Sequence, residues 1–234
     1  MKNKKAAQIE AKRKHKAELT AAKARRRGQQ TLERAAPTRK LKPTILIVCE
    51  GENTEPSYFR QFKLTSATIK AVGNGSNTIS LVQEAIKLME KDSYEQVWCV
   101  FDKDTFPAEN FNNAIIMAEA RGINVAYSNQ AFEYWLILHF EDHQGAKMNR
   151  TEYDETINQH LEEFGVTYDG EGSKKISEDF FDVLMSTAED GRKRIGLAIT
   201  RAKRNYDHWD HKSPAVEEST TTVFKLVEEI LSFS

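Results

Sequence analysis

Two acidic motifs stand directly behind apolar runs of strand character. Cys49-Glu50-Gly51-Glu52-Asn53-Thr54-Glu55 follows Ile45-Leu46-Ile47-Val48, and Phe101-Asp102-Lys103-Asp104-Thr105 follows Val97-Trp98-Cys99-Val100. In an open α/β sheet, ligands bind beyond the carboxyl ends of the strands, so this spacing gathers carboxylates from separate strands at one crevice. At ~4 Å and an effective dielectric of ~20, each such pair repels by about 4 kcal/mol. The crevice then needs a proton or a cation, and an all-oxygen donor set suits Mg²⁺ or Mn²⁺.

The individual residues carry unequal signals. Asp102 and Asp104 are one residue apart, and in an extended segment positions i and i+2 face the same way, so both carboxylates would reach one metal. The alternative is a pair of turn-forming or helix-capping aspartates. Glu50 follows four apolar residues and precedes a glycine, a place where a structural glutamate gains little. Glu52 and Glu55 are ambiguous, because Glu55 also favours the dipole of a helix first turn. Glu133 interrupts the apolar start Ala131-Phe132-Glu133-Tyr134-Trp135-Leu136 and reads either as a further site carboxylate or as another N-terminal helix charge. Lys103 is a candidate phosphate contact, set against a solvent-facing charge. His139 and the group Tyr206, His208, Trp209 and His211 read as packing residues. The chain has no G-x-x-x-x-G-K-[ST] loop, since Gly172-Ser173-Lys174 lacks that spacing, and no G-x-S-x-G nucleophile elbow.

The elements that must position these residues alternate. Strands are expected at Ile45–Cys49, Ile69–Val72, Val97–Phe101 and Ile123–Tyr127. Between them run a helix through Tyr58, Phe59 and Phe62 capped by Asn53 or Thr54, one with Ile79, Val82, Ala85, Ile86 and Met89 on a face, and one through Phe111, Ile115 and Ala118. Phe132–Phe140 begins a further apolar helix. Repeated strand-then-helix units with near-continuous apolar strands indicate a parallel sheet covered by helices. Beyond about residue 145 the pattern turns helical, with helices expected over 151–163, 176–187, 190–206 and 215–232 and a loop at Asp169-Gly170-Glu171-Gly172-Ser173. The expected organisation is a basic tail over 1–42, an α/β core over 43–145 and a helical region over 146–234 packed on that core.

The net charge of −1 over 234 residues conceals a division. Residues 1–42 hold 15 Lys or Arg against 3 Glu, and the remainder is correspondingly acidic. That tail has few large apolar groups, so it reads as disordered or as a lone, fraying helix. Arg25, Arg26 and Arg27 make it a candidate nucleic-acid arm whose cations displace counterions from phosphates. The two cysteines, Cys49 and Cys99, read as buried core thiols of a reducing compartment. No apolar stretch approaches the ~20 residues of a membrane helix, and the charged start does not resemble a signal peptide. The expected location is the cytoplasm.

With Glu50-Gly51, Asp102-x-Asp104 and the alternating units in hand, the chain resembles a Toprim domain, and more closely the RloB-like family of Toprim proteins. The resemblance is carried by Ile47 to Glu55, by Val100 to Asp104, by Ser128-Asn129-Gln130-Ala131-Phe132-Glu133-Tyr134-Trp135 through Phe140, and by Ser219-Thr220-Thr221-Thr222-Val223. The family usually has Pro-Cys where Gln130-Ala131 stand here. The resemblance implies Mg²⁺ or Mn²⁺ held by Glu50, Asp102 and Asp104, and phosphodiester chemistry at those residues; the residue reading adds Glu133 as a fourth catalytic carboxylate. It further implies RNA, tRNA among its classes, or DNA as substrate, a separate ABC-type ATPase as partner, and a role in anti-phage defence. A homo-oligomer is left open. Two other readings are a non-catalytic scaffold docking its ATPase through residues 215–232, and a D-x-D-x-T phosphatase with Asp102 as nucleophile. The latter leaves Glu50 without a role.

Overall fold

The computed structural model describes residues 2–28, 42–75, 77–105, 107–144, 148 and 150–234. The chain divides into two units, Met1–Leu41 and Lys42–Ser234. In the first lies helix α1 (Lys2–Gly28), within the basic tail. Its Ala, Lys, Arg, Gln and Glu content consists of strong helix formers. Arg25 is exposed on it, and Arg26 and Arg27 lie within the same helix. The rest of the tail expected over 1–42, from 29 to 41, lies outside the described residues.

The second unit is built on a five-stranded sheet in the order β2-β1-β3-β4-β5. Strands β1 (Thr44–Cys49), β2 (Thr68–Gly73), β3 (Gln96–Asp102) and β4 (Asn124–Asn129) are mutually parallel. Three helices connect them, α2 (Thr54–Arg60), α3 (Thr78–Lys91) and α4 (Ala108–Glu119). The apolar strands fill with Val, Ile, Leu and Cys because both sheet faces are covered. Leu46, Val48, Cys99 and Phe101 face α3 and α4, packing with Leu81, Val82, Phe111 and Ala114. Ile45, Ile47, Trp98 and Val100 face the other layer. Cys49 and Cys99 are both buried and unpaired. Asn77 caps α3 by accepting the Ser80 N–H, whereas Asn53 ahead of α2 makes no side-chain cap.

The second layer starts with α5 (Phe132–Ile137) and continues through α6 (Arg150–Leu161), α7 (Glu178–Met185) and α8 (Arg194–Asp207). Its aromatic centre, Tyr58, Phe59, Phe132, Tyr134, Trp135 and Phe180, belongs to one cluster with the sheet residues. Helix α7 starts later than 176 because Ser177 caps it, accepting the Phe180 N–H. Helix α8 starts at Arg194 rather than 190 because Gly191, at φ +81°, closes a tight turn bridged by Thr187 and Lys193.

One expectation fails at the end of this unit. Residues 215–232 are not one helix: a 3₁₀ turn at Pro214–Val216 leads to β5 (Thr220–Thr221), and α9 begins only at Val223, running to Ser232. Strand β5 pairs antiparallel with β4, Ser128 opposite Thr221 and Asn129 opposite Thr220. Threonine hydroxyls reinforce the junction: Thr222 Oγ1 accepts the Tyr127 N–H at 2.8 Å, and Thr221 Oγ1 donates to Tyr127 O at 3.0 Å. A two-residue strand is too short to show an alternation. Val223, Phe224, Leu226, Val227 and Ile230 are all buried, so the apolar side of α9 serves the core and offers no docking face. Val216, within the helix expected over 215–232, is exposed.

His139 is fully buried just beyond α5, with Nδ1 3.0 Å from Trp135 O and Nε2 without a hydrogen-bond partner. Burial disfavours its charged form and lowers its pKa from 6.5 to about 3. The unfolded chain binds this proton below pH 6.5 and the fold only near 3, so the stabilising difference is complete above 6.5 and is lost as pH falls. Urea unfolding should show His139→Gln losing about 2 kcal/mol less than wild type between pH 7 and pH 5; parallel pH profiles would refute the assignment.

Candidate active site

Strands β1 and β3 are neighbours in register, with Cys49 opposite Val100, and their carboxyl ends therefore deliver Glu50 and Asp102 side by side. The Glu50 N–H continues the ladder to Val100 O at 2.9 Å, and the Asp102 N–H donates to Glu50 Oε2 at 3.2 Å. A cleft of about 450 Å³ opens over these ends, lined by Glu50, Gly51, Glu52, Glu55, Asp102, Asp104, Glu133 and Lys174 among others.

Gly51 leaves room for the Glu55 carboxylate. A Cβ there would stand 2.2 Å from Glu55 Oε2, and the Gly51 N–H donates to Glu55 Oε1 at 3.2 Å. The Glu55 carboxylate thus folds back over the β1 turn from the first turn of α2, and its residue is buried. Glu133 enters from the first turn of α5 and is also buried. Its Oε1 accepts the Tyr168 hydroxyl at 2.9 Å, and Thr54 Oγ1 lies 3.3 Å from the same hydroxyl. Asn129 and Gln130, joined by a cis peptide bond, connect β4 to this helix, and Gln130 O accepts the Asp104 N–H at 3.0 Å.

Asp102 is the electrostatic centre of the cleft. The residue keeps some exposure, yet its Oδ1 is sealed from solvent and has no hydrogen-bond partner. Burial first, then the charges of Glu55, Glu133 and Glu50, push its carboxyl well above the usual carboxylate range, against the favourable N–H of Phe132. A carboxylate so placed holds a proton or demands a cation.

The structure brings Glu50, Asp102, Asp104 and Glu133 to one cleft, but it corrects how Asp104 arrives. Strand β3 ends at Asp102, and Asp104 sits in a turn with φ +39°, exposed. Strand alternation does not align the two aspartates; the turn brings Asp104 to the rim. Lys103 does not line the cleft, and its Nζ lies 3.4 Å from Asp104 O. Glu55, ambiguous in the sequence, heads the charges acting on Asp102. Tyr168 and Lys174 carried no local signal and come from the helical region.

The donors fit a hard divalent cation: they are all oxygen, they repel one another, and Oδ1 of Asp102 lacks a partner. Among the described residues no three His, Cys, Asp or Glu side chains form a ready-made metal group. Glu50, Glu55 and Glu133 each accept a hydrogen bond from a protein donor.

Residues 45–230 match the family described as RloB-like protein. No curated protein and no solved structure matches the chain. Among the described residues no helix is long and apolar enough to cross a membrane.

Because its folded pKa is raised, Asp102 contributes stability below its unfolded pKa near 3.8, and that contribution is lost as pH rises through the folded value. At pH 7 Asp102→Asn should therefore stabilise the cation-free protein by roughly 1–3 kcal/mol, the scale of relieving a buried unsatisfied group, and flatten the rise of stability on acidification. A variant less stable than wild type in chelator, by urea or thermal unfolding, would contradict this placement.

Proposed function

The chain belongs to the RloB-like family, and from its acidic cleft we propose that it is a divalent-cation-dependent phosphodiesterase acting on RNA, with tRNA one substrate class. The observation that supports this reading best is Asp102, its Oδ1 buried without a partner and three glutamates bearing on it at the strand ends. A fold that spends stability to gather like charges in an open cleft is carrying a functional group.

In this reading Glu50, Asp102 and Asp104 hold Mg²⁺ or Mn²⁺, and Glu133 and Glu55 complete the acidic wall. When bound, such an ion polarises a phosphoryl oxygen and stabilises charge on the leaving oxygen. Glu50 is the candidate acceptor of the attacking water's proton, because the Asp102 N–H holds one of its oxygens at the mouth of the cleft. The Tyr168 hydroxyl fixes Glu133 from the opposite side. The basic arm, with Arg25, Arg26 and Arg27, supplies sequence-independent affinity for a polyanion.

The chain contains no phosphate-binding loop of the G-x-x-x-x-G-K-[ST] type. ATP hydrolysis therefore belongs, in this reading, to a separate ABC-type ATPase, with the protein as effector of an anti-phage system. That part rests on the family resemblance.

Purified protein incubated with tRNA, other RNA, and single- or double-stranded DNA should cleave RNA in Mg²⁺ or Mn²⁺ and not in chelator. Asp102→Asn should lower the rate by roughly 10²-fold or more, as expected for removing a group that stabilises the transition state. Cleavage indifferent to chelator and to this substitution would sink the proposal, and no cleavage of any substrate would favour a scaffold or a partner-released effector.

A further inference from the structure

Six of the residues lining the cleft are carboxylates, Glu50, Glu52, Glu55, Asp102, Asp104 and Glu133, and Lys174 is its one described cation. A phosphodiester approaching that wall meets net repulsion, which a bound divalent cation only partly removes. The cationic side chain comes from neither acidic motif. It reaches the strand ends from a loop of the helical region, over seventy residues beyond Asp102 in sequence.

That loop is built to present Lys174. Asp169 Oδ1 accepts the Gly172 N–H at 3.0 Å and Oδ2 accepts the Ser173 N–H at 2.7 Å, while Asp169 O accepts the Lys174 N–H at 2.8 Å. Lys174 itself has φ +53°, a left-handed backbone that non-glycine residues seldom adopt. Both ends are anchored. Asn158 holds the N–H and C=O of Tyr168 at 2.8 and 2.9 Å. Beyond the loop, the Ile176 N–H donates to Ser57 Oγ at 2.8 Å, and Gln61 Nε2 donates to Ile176 O at 3.1 Å. Ser57 lies in α2, the helix that carries Glu55, and Gln61 directly follows it. The backbone that carries Lys174 is therefore tied to the helix that carries Glu55.

We infer that Lys174 is a substrate-contacting residue of this cleft, binding a non-bridging oxygen of the nucleic-acid phosphate beside Asp102. The inference rests on the phosphodiesterase reading and deepens it. A flexible, point-like ammonium suits a phosphate oxygen whose charge grows during displacement, and it adds to whatever a cation supplies. Lys103, the sequence candidate for this contact, does not line the cleft, and Lys174 takes the role.

The test uses full-length protein carrying Asp102→Asn, which slows cleavage enough for binding to be read, and a labelled single-stranded RNA followed by fluorescence anisotropy across a salt series with Mg²⁺. Adding Lys174→Met should weaken binding by about 5- to 20-fold and lower the slope of log affinity against log salt by about 0.7, one phosphate contact. Lys174→Arg should restore most of both. Unfolding midpoints control for the loop's own stability. In the otherwise wild-type chain, Lys174→Met should reduce RNA cleavage at least ten-fold. Unchanged affinity and slope in Lys174→Met, or no RNA binding by the Lys174-intact parent, overturns the inference. Binding through Lys174 by a chain that cleaves nothing overturns phosphodiesterase activity of the isolated chain and leaves the contact standing.

Discussion

Like charges held together at the end of a central strand are the constraint on which this structure turns. Strand β3 pairs with β1 on one side and β4 on the other, so Asp102 cannot swing away from its neighbours without breaking the middle of the sheet. Each nearby carboxylate is instead restrained by a separate device: Glu50 by the Asp102 N–H, Glu55 by the space that Gly51 leaves open, and Glu133 by Tyr168. The apolar clusters on both sheet faces supply the rigidity that makes such crowding tolerable. Remove that rigidity and the repulsion would simply spread the groups into solvent.

The helical region is part of the site. Its helices share one core with the sheet, and the segment between α6 and α7 reaches the cleft through Tyr168 and Lys174. The helical layer adds a hydroxyl on Glu133 and a lysine to a wall otherwise lined by carboxylates.

How much of this was legible follows the range of each interaction. Glu50 and Asp102 stood out because an acid directly after an apolar run has few structural reasons to be there, and Glu133 because it breaks an apolar helix start. Those signals are local, and the family resemblance joined them into one site. Glu55 was obscured because a glutamate in a helix first turn has an ordinary electrostatic role. Asp104 was assigned by strand alternation, which stops where the strand stops. Tyr168 and Lys174 were invisible because nothing within several residues of them marks a site, and only the tertiary fold brings them there. The strand at Thr220–Thr221 escaped for a similar reason, since two residues carry no period, and its threonines find their partners on Tyr127 and Ser128, more than ninety residues earlier.

That last pairing orders events during synthesis. Strand β4 leads directly into the helix bearing Glu133, yet one long edge of it stays open until Thr220 and Thr221 arrive. A nascent chain shorter than this leaves β4 as the bare edge of the parallel sheet, the kind of edge that recruits other strands. A stalled or clipped chain ending before residue 220 would present a sticky sheet edge in place of a finished cleft.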